Sequence, residues 1–180
     1  MKQNPIHEED YYICSTGMVS NEAVKTQKTE IMENQKSKET KALEPKVTGI
    51  GGIFFFSENP ENIKEWYGKN LGLSVDQWGS TFEFRNAQRP EEINYLQWSP
   101  FKKDSEYFKP SQKEFMINYR VQNLEGLLVK LKENGVTVLD EVQTFDYGKF
   151  VHILDIEGNK IELWEPVDRI FTEMGGTTSK

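Results

Sequence analysis

The chain has 180 residues, a net charge of −7 and a single cysteine, Cys14. That length suits one domain with chain to spare, the acidic balance argues against a nucleic-acid footprint, and one cysteine excludes an intrachain disulfide. Residues 1–10 lack the apolar stretch of a signal peptide and no run reaches membrane-spanning length. A cytoplasmic protein is expected, with neither nucleic acid nor membrane as partner.

Residues 1–45 are polar and mixed in charge, and read as a flexible extension, because too few apolar side chains are present to order it. Its His7 is expected to carry no role. From Val47 the texture changes to dense aromatic and β-branched runs, so the folded domain is placed at 46–168 and a short tail at 169–180.

The domain repeats itself at a spacing of about 64 residues. Each copy opens on an apolar strand, Ile50 to Phe56 and then Phe115 to Val121. Each strand leads to an asparagine placed as a helix N-cap, Asn59 and Asn123, and Pro60 follows the first where its missing N–H costs nothing. The first helix carries Ile63, Trp66, Tyr67 and Leu71, the second Leu124, Leu127, Leu128 and Leu131. Both stripes have the spacing of a face laid on a sheet, and Gly72 and Gly135 stop the two helices.

Three strand-like segments follow each helix. They are Ser74 to Trp78, Ser80 to Asn86 and Ile93 to Pro100 in the first copy, then Thr137 to Phe145, Lys149 to Asp155 and Lys160 to Pro166 in the second. The unit is β-α-β-β-β, used twice, with a polar linker over 101–114. The second copy closes on a Glu157-Gly158-Asn159 turn and a strand that sets Glu162 among apolar residues. A carboxylate there is costly to bury alone, so it is either a surface group or the polar centre of a pocket.

Paired modules of this kind resemble the vicinal oxygen chelate superfamily of glyoxalases, extradiol dioxygenases and bleomycin-resistance proteins. The resemblance rests on the Asn59-Pro60-Glu61 helix opening, Trp66-Tyr67, Leu71-Gly72-Leu73, and the closing Asp155-x-x-Gly158-Asn159-x-Ile161-Glu162-Leu163. It covers about 120 residues, Val47 to Pro166. It implies an α+β fold in which two β-α-β-β-β modules form a partly open barrel around a cavity, with helices outside. It also implies a divalent metal held from four equivalent strand positions, and frequent pairing into homodimers.

Those positions fall here on Gly52, Leu96, Met116 and Glu162, of which only Glu162 offers a hard ligand. No cofactor is therefore expected, and a metal would need a rebuilt site. A slip of one residue on the fourth strand would bring Gln97 inward instead of Leu96. His152, ten residues before Glu162 on the neighbouring strand, is either a half-exposed strand histidine or the cavity partner of Glu162, and as its partner it completes an acid/base pair.

Alternation then sends Phe54, Phe56, Met116, Asn118 and Arg120 inward, joined by Leu96, Trp98 and Trp164. Arg120 is expected either to pair with Glu162 or to reach the rim. Tyr147, in the loop Asp146 to Lys149, is expected to close over the mouth. Three functions stay open: a metal-independent module binding a small aromatic molecule, as in sequestration; an acid/base enzyme or a lyase or dioxygenase using His152 and Glu162; and a dimerising module with a filled barrel.

Overall fold

Asn59 begins the first helix as its sequence demands, its side chain accepting the Asn62 N–H at 3.1 Å, and Gly72 ends it at φ 73°. The protein is described by a computed structural model covering residues 11–14, 17–20 and 43–179. The expected flexible extension and His7 lie outside the described residues, save for a two-stranded antiparallel pair, β1 (Tyr11–Cys14) and β2 (Gly17–Ser20), and residues 43–45.

From Leu43 the chain forms one compact unit. Its elements are β3 (Lys46–Ser57), α1 (Pro60–Leu71), β4 (Ser80–Arg85), β5 (Ile93–Lys102), a short 3₁₀ turn (Glu106–Phe108), β6 (Phe115–Gln122), α2 (Leu124–Glu133), β7 (Thr137–Val138), β8 (Gln143–Phe145), β9 (Gly148–Leu154), β10 (Lys160–Pro166) and α3 (Asp168–Met174). Seven strands follow the order β4-β5-β3-β6-β10-β9-β7, and β8 also pairs with β9. In each module the first strand lies parallel to the last, β3 with β5 and β6 with β10. The two first strands pair antiparallel at the centre. The result is an open mixed sheet, the α+β partly open barrel of two repeated modules. Among the described residues no helix is long and apolar enough to cross a membrane.

Three segments depart from the sequence reading. Ser74 to Trp78 is no strand, but a loop with one bridge, Val75 to Ser80. Thr137 to Phe145 is broken into β7 and β8 by a loop that carries Asp140. The expected short tail over 169–180 instead supplies most of α3, and Ser179 then pairs beside β4, its N–H donating to Thr81 O at 2.8 Å.

The helices also differ. α2 buries Leu124, Leu127 and Leu128 against Val121, Val151, Ile153 and Leu163, the largest core cluster. In α1, Trp66 is 54% and Leu71 59% exposed. This helix is turned so that Ile63, Lys64, Tyr67 and Gly68 form its inner side, with Tyr67 on the ring of Trp98 and the Lys64 ammonium capping Gln77 O at 2.9 Å. The apolar period alone did not reveal that a lysine stem, not a tryptophan, would fill the space.

Candidate functional site

The inner face of the sheet carries one lateral row of residues, a single position from each of six strands. Strand register sets Thr81 opposite Gln97, Gln97 beside Gly52, Gly52 opposite Asn118, Asn118 beside Glu162, and Glu162 opposite His152. Hydrogen bonds run along both halves of the row. Thr81 Oγ1 donates to Gln97 Oε1 at 2.8 Å on one side. On the other, Asn118 Nδ2 donates to Glu162 Oε2, and His152 Nε2 stands 3.1 Å from Glu162 Oε1. Gly52 interrupts the row, because it brings no side chain.

Register decides between the two alternatives on β5 in favour of the one-residue slip. Gln97, not Leu96, occupies the inward position, and Trp98 turns to the opposite face, against Phe55 and Tyr67. Matching the closing strands through Trp98 and Trp164 was off by one, since Trp164 faces inward and Trp98 outward. Two irregularities in β3, between Val47 and Gly49 and between Ile50 and Gly52, also break strict alternation there. A Cβ on Gly51 would strike the Asn118 amide and Trp164, so the backbone of β3 lies directly against the site.

His152 is held from both ends. Its Nδ1 lies 2.6 Å from Asp140 Oδ2, and its backbone N–H donates to Asp140 Oδ1 at 2.8 Å. Carboxylate oxygens face both ring nitrogens, an arrangement that favours the protonated ring, in which both donate. Burial opposes that charge, but the hydrogen bonds that the ring donates to Glu162 and Asp140 prevail and hold the His152 pKa above its ordinary 6.5.

Tyr107 completes the chain from the linker. Its hydroxyl donates to Glu162 Oε1, and burial together with the Glu162 charge pushes its pKa far up, so it stays a donor. Lys160, buried two residues before Glu162, donates to Tyr107 O at 2.5 Å. Burial lowers its pKa against the pull of Asp140 and Glu162. Sequence reasoning missed Tyr107 and Asp140, because both come from segments read as a polar linker and a plain strand. The aromatic pair Tyr107-Phe108 inside that linker was the available signal.

A cavity of about 180 Å³ lies over the row. Its walls are Phe54, Tyr95, Tyr147, Phe150, Trp164 and Phe171, with Thr81, Gln97, Asn118 and Glu162 as polar members. Of the residues expected to line it, Phe54, Asn118, Tyr147, Trp164 and Glu162 do so. Met116 and Phe56 do not: the former is fully buried with Phe54 and Phe108, the latter stacks on Phe108 at 4.3 Å, and the linker fills that end of the barrel. His152 sits behind Glu162 rather than in the wall.

Arg120 is the other departure. It pairs with Asp168 of α3, donates to Tyr95 O at 3.0 Å and covers Trp164 at 5.0 Å, leaving Glu162 to other partners. Burial raises the Asp168 pKa despite this arginine. Arg120 also borders a wider open groove of about 440 Å³. Charged side chains there already have partners, Arg89 with Glu92 at 2.7 Å, Arg120 with Asp168, and Arg169 with Glu173 beside the groove at 3.1 Å, so the row beneath the aromatic cavity is the stronger candidate.

The positions that the resemblance would use for a metal do not converge here. Gly52 has no ligand atom, Leu96 faces away, Met116 is enclosed by phenylalanine, and the Glu162 oxygens already accept from Tyr107, His152 and Asn118. Both ring nitrogens of His152 are likewise engaged with carboxylates and present no lone pair to an ion. This donor set does not fit a hard divalent ion, which needs about three free protein ligands aimed at one point.

No family model matches the chain, and no curated relative matches its sequence. Solved structures do resemble it. A methylmalonyl-CoA epimerase from Streptomyces coelicolor is 16% identical, with a TM-score of 0.50 over 68% of this chain and 99% of its own. The methylmalonyl-CoA epimerase from Mycobacterium tuberculosis is 18% identical, with a TM-score of 0.47 over 73% of this chain and 94% of its own. A glyoxalase/bleomycin resistance protein/dioxygenase superfamily member from Vibrio splendidus 12B01 is 11% identical over 68% of this chain and 99% of its own, with a TM-score of 0.41. At such identities the likeness concerns the fold: the chain has the vicinal oxygen chelate fold.

Proposed function

We propose that the protein binds a small, single-ring molecule in the cavity above the Gln97–Glu162 row, without a divalent metal. The observation that carries this reading is a polar row interrupted at a glycine and roofed by six aromatic side chains. Mostly apolar walls with a few convergent polar groups are the usual form of a small-molecule site. The size also fits: an apolar cavity of about 150 Å³ takes up benzene, whereas drug-sized ligands need about 300 Å³ or more. The metal-free part rests on the Glu162 oxygens and His152 nitrogens being occupied by one another and by their neighbours. Sequestration of an aromatic compound is the simplest activity such a site performs.

A second reading is favoured by one further observation. Glu162 borders the cavity while His152 and Asp140 line up behind it, so a proton moved at Glu162 has a hydrogen-bonded route to replace it. On that reading the protein is an acid/base catalyst.

Binding is tested by calorimetry with a panel of one-ring arenes on chelator-dialysed protein. Uptake at about one equivalent supports the first reading. Failure of every arene to bind at millimolar concentration sinks it, and binding that returns only on adding a divalent cation overturns its metal-free part. Turnover of a bound arene that disappears in Glu162→Gln moves the assignment to the second reading.

A further inference from the structure

Charge around the site cancels, and the inference drawn from this rests on the binding reading above. Asp140 and Glu162 contribute two negative charges. His152, set between them, and Lys160, which interacts with both, contribute two positive ones. Arg120, on the far side of Trp164, is matched by Asp168. A charged ligand would therefore enter an aromatic-walled space with no opposite charge left to meet it, and partly burying a charge without a partner is unfavourable.

Hydrogen-bond capacity does not cancel. Glu162 Oε1 accepts from both Tyr107 and His152, whereas Oε2 accepts only from Asn118. A carboxylate has about four acceptor sites, so Oε2 keeps one. Next to it, Asn118 Oδ1 is buried with no partner at all. The Asn118 amide is turned to give its N–H to Glu162, and this leaves the corner of the cavity with acceptors in excess and donors short.

We infer that the ligand is an uncharged single ring bearing an O–H or N–H donor, which it directs to Glu162 Oε2. Neither a cationic arylamine nor an anionic aryl carboxylate meets these conditions. The aromatic walls hold the ring, and the Asn118–Glu162 corner sets its orientation. Specificity thus lies in one hydrogen bond to a carboxylate whose charge is already balanced from behind.

Four probes of similar size separate the possibilities on the full chain at neutral pH: phenol, toluene, benzylammonium and benzoate, each titrated by calorimetry. Phenol is expected to bind about tenfold to a hundredfold more tightly than toluene, the range for a buried hydrogen bond to a charged group. Both ions are expected to bind at least about tenfold more weakly than phenol. Toluene equal to phenol overturns the donor requirement and leaves the cavity reading standing. An ion equal to or tighter than phenol overturns the charge argument. No binding by any of the four overturns this inference and the cavity reading together.

Glu162→Gln is expected to shrink the phenol-to-toluene ratio to a few-fold. An undiminished ratio in that variant, with a native near-ultraviolet spectrum, overturns the assignment to Glu162. Tyr107→Phe keeps the carboxylate and frees a second acceptor site, so it should retain or widen the ratio. A ratio that falls to one there counts against the inference even if Glu162→Gln does not fold.

Discussion

The two modules share a sequence pattern and a topology but divide the work unequally. In the second, α2 seals its leucines over the main core cluster, and the inner row, Asn118, Glu162 and His152, is ionic and backed by Asp140 from a loop. In the first, α1 leaves Trp66 and Leu71 in solvent, and the inner row is neutral: Thr81 and Gln97 joined by a hydrogen bond. Repetition of a fold unit therefore does not repeat its energetics. One module anchors the structure and holds the charge, while the other contributes a glycine gap and two of the six aromatic walls, Phe54 and Tyr95.

The sharpest way to break that contrast is to delete the centre of the charged half. His152→Ala leaves two carboxylates facing a void and is expected to cost about 4 kcal/mol in urea unfolding, the range for removing one partner of a buried ionic set. Gln97→Leu in the neutral half breaks one uncharged hydrogen bond, and about 1 kcal/mol is expected. Equal losses at the two positions would show that the halves are energetically alike.

Next come the helices. Leu128→Ala is expected to cost about 3 kcal/mol, as core leucine truncations do, while Leu71→Ala should stay below about 1 kcal/mol. Gly51→Ala introduces a methyl against Asn118 and Trp164 and should cost about 2 kcal/mol by overpacking. It should weaken arene binding as well, since the Asn118 amide has to move.

A smaller effect is expected with pH. His152 has a folded pKa above its unfolded 6.5, with Asp140, Glu162, Lys160 and Tyr107 as the groups facing it. Its contribution is complete below 6.5 and is lost as pH rises through the folded value. Wild-type stability should therefore fall across that window, and the slope should flatten in His152→Ala. A chemical-denaturation series in steps of pH reads both. The smallest effect belongs to Trp66→Ala, within about 0.5 kcal/mol, because its ring is more than half exposed.

Much of the fold was legible in the chain because its signals are local. Asn59-Pro60 and Gly72 bound α1 where they should, since a cap side chain and a positive-φ glycine act within one turn. Lys160–Pro166 emerged with the predicted ends, and alternation along β6 correctly turned Met116, Asn118 and Arg120 inward. Glu162 was legible as a residue needing partners, because a carboxylate among Ile161, Leu163 and Trp164 has few other ways to exist.

Its partners were legible only in part: His152 and Asn118 were within reach of the reading, Tyr107 and Asp140 were not, and the reason is physical. Whether Leu96 or Gln97 faces inward depends on how β5 registers against β3, and a one-residue slip inverts every side chain on a strand. Irregular pairing in β3 shifts that register without a mark in composition. Tyr107 and Asp140 arrive from a linker and a loop, both far from Glu162 along the chain, and Phe171 from a helix beyond the strand that carries it. The sequence by itself determined the two modules, their helix ends and the presence of a buried carboxylate, all products of short-range chemistry. Only the tertiary structure decided that this carboxylate is held from behind by His152 and Tyr107 and faces an aromatic cavity, because long-range register and loop packing set which groups share one buried corner.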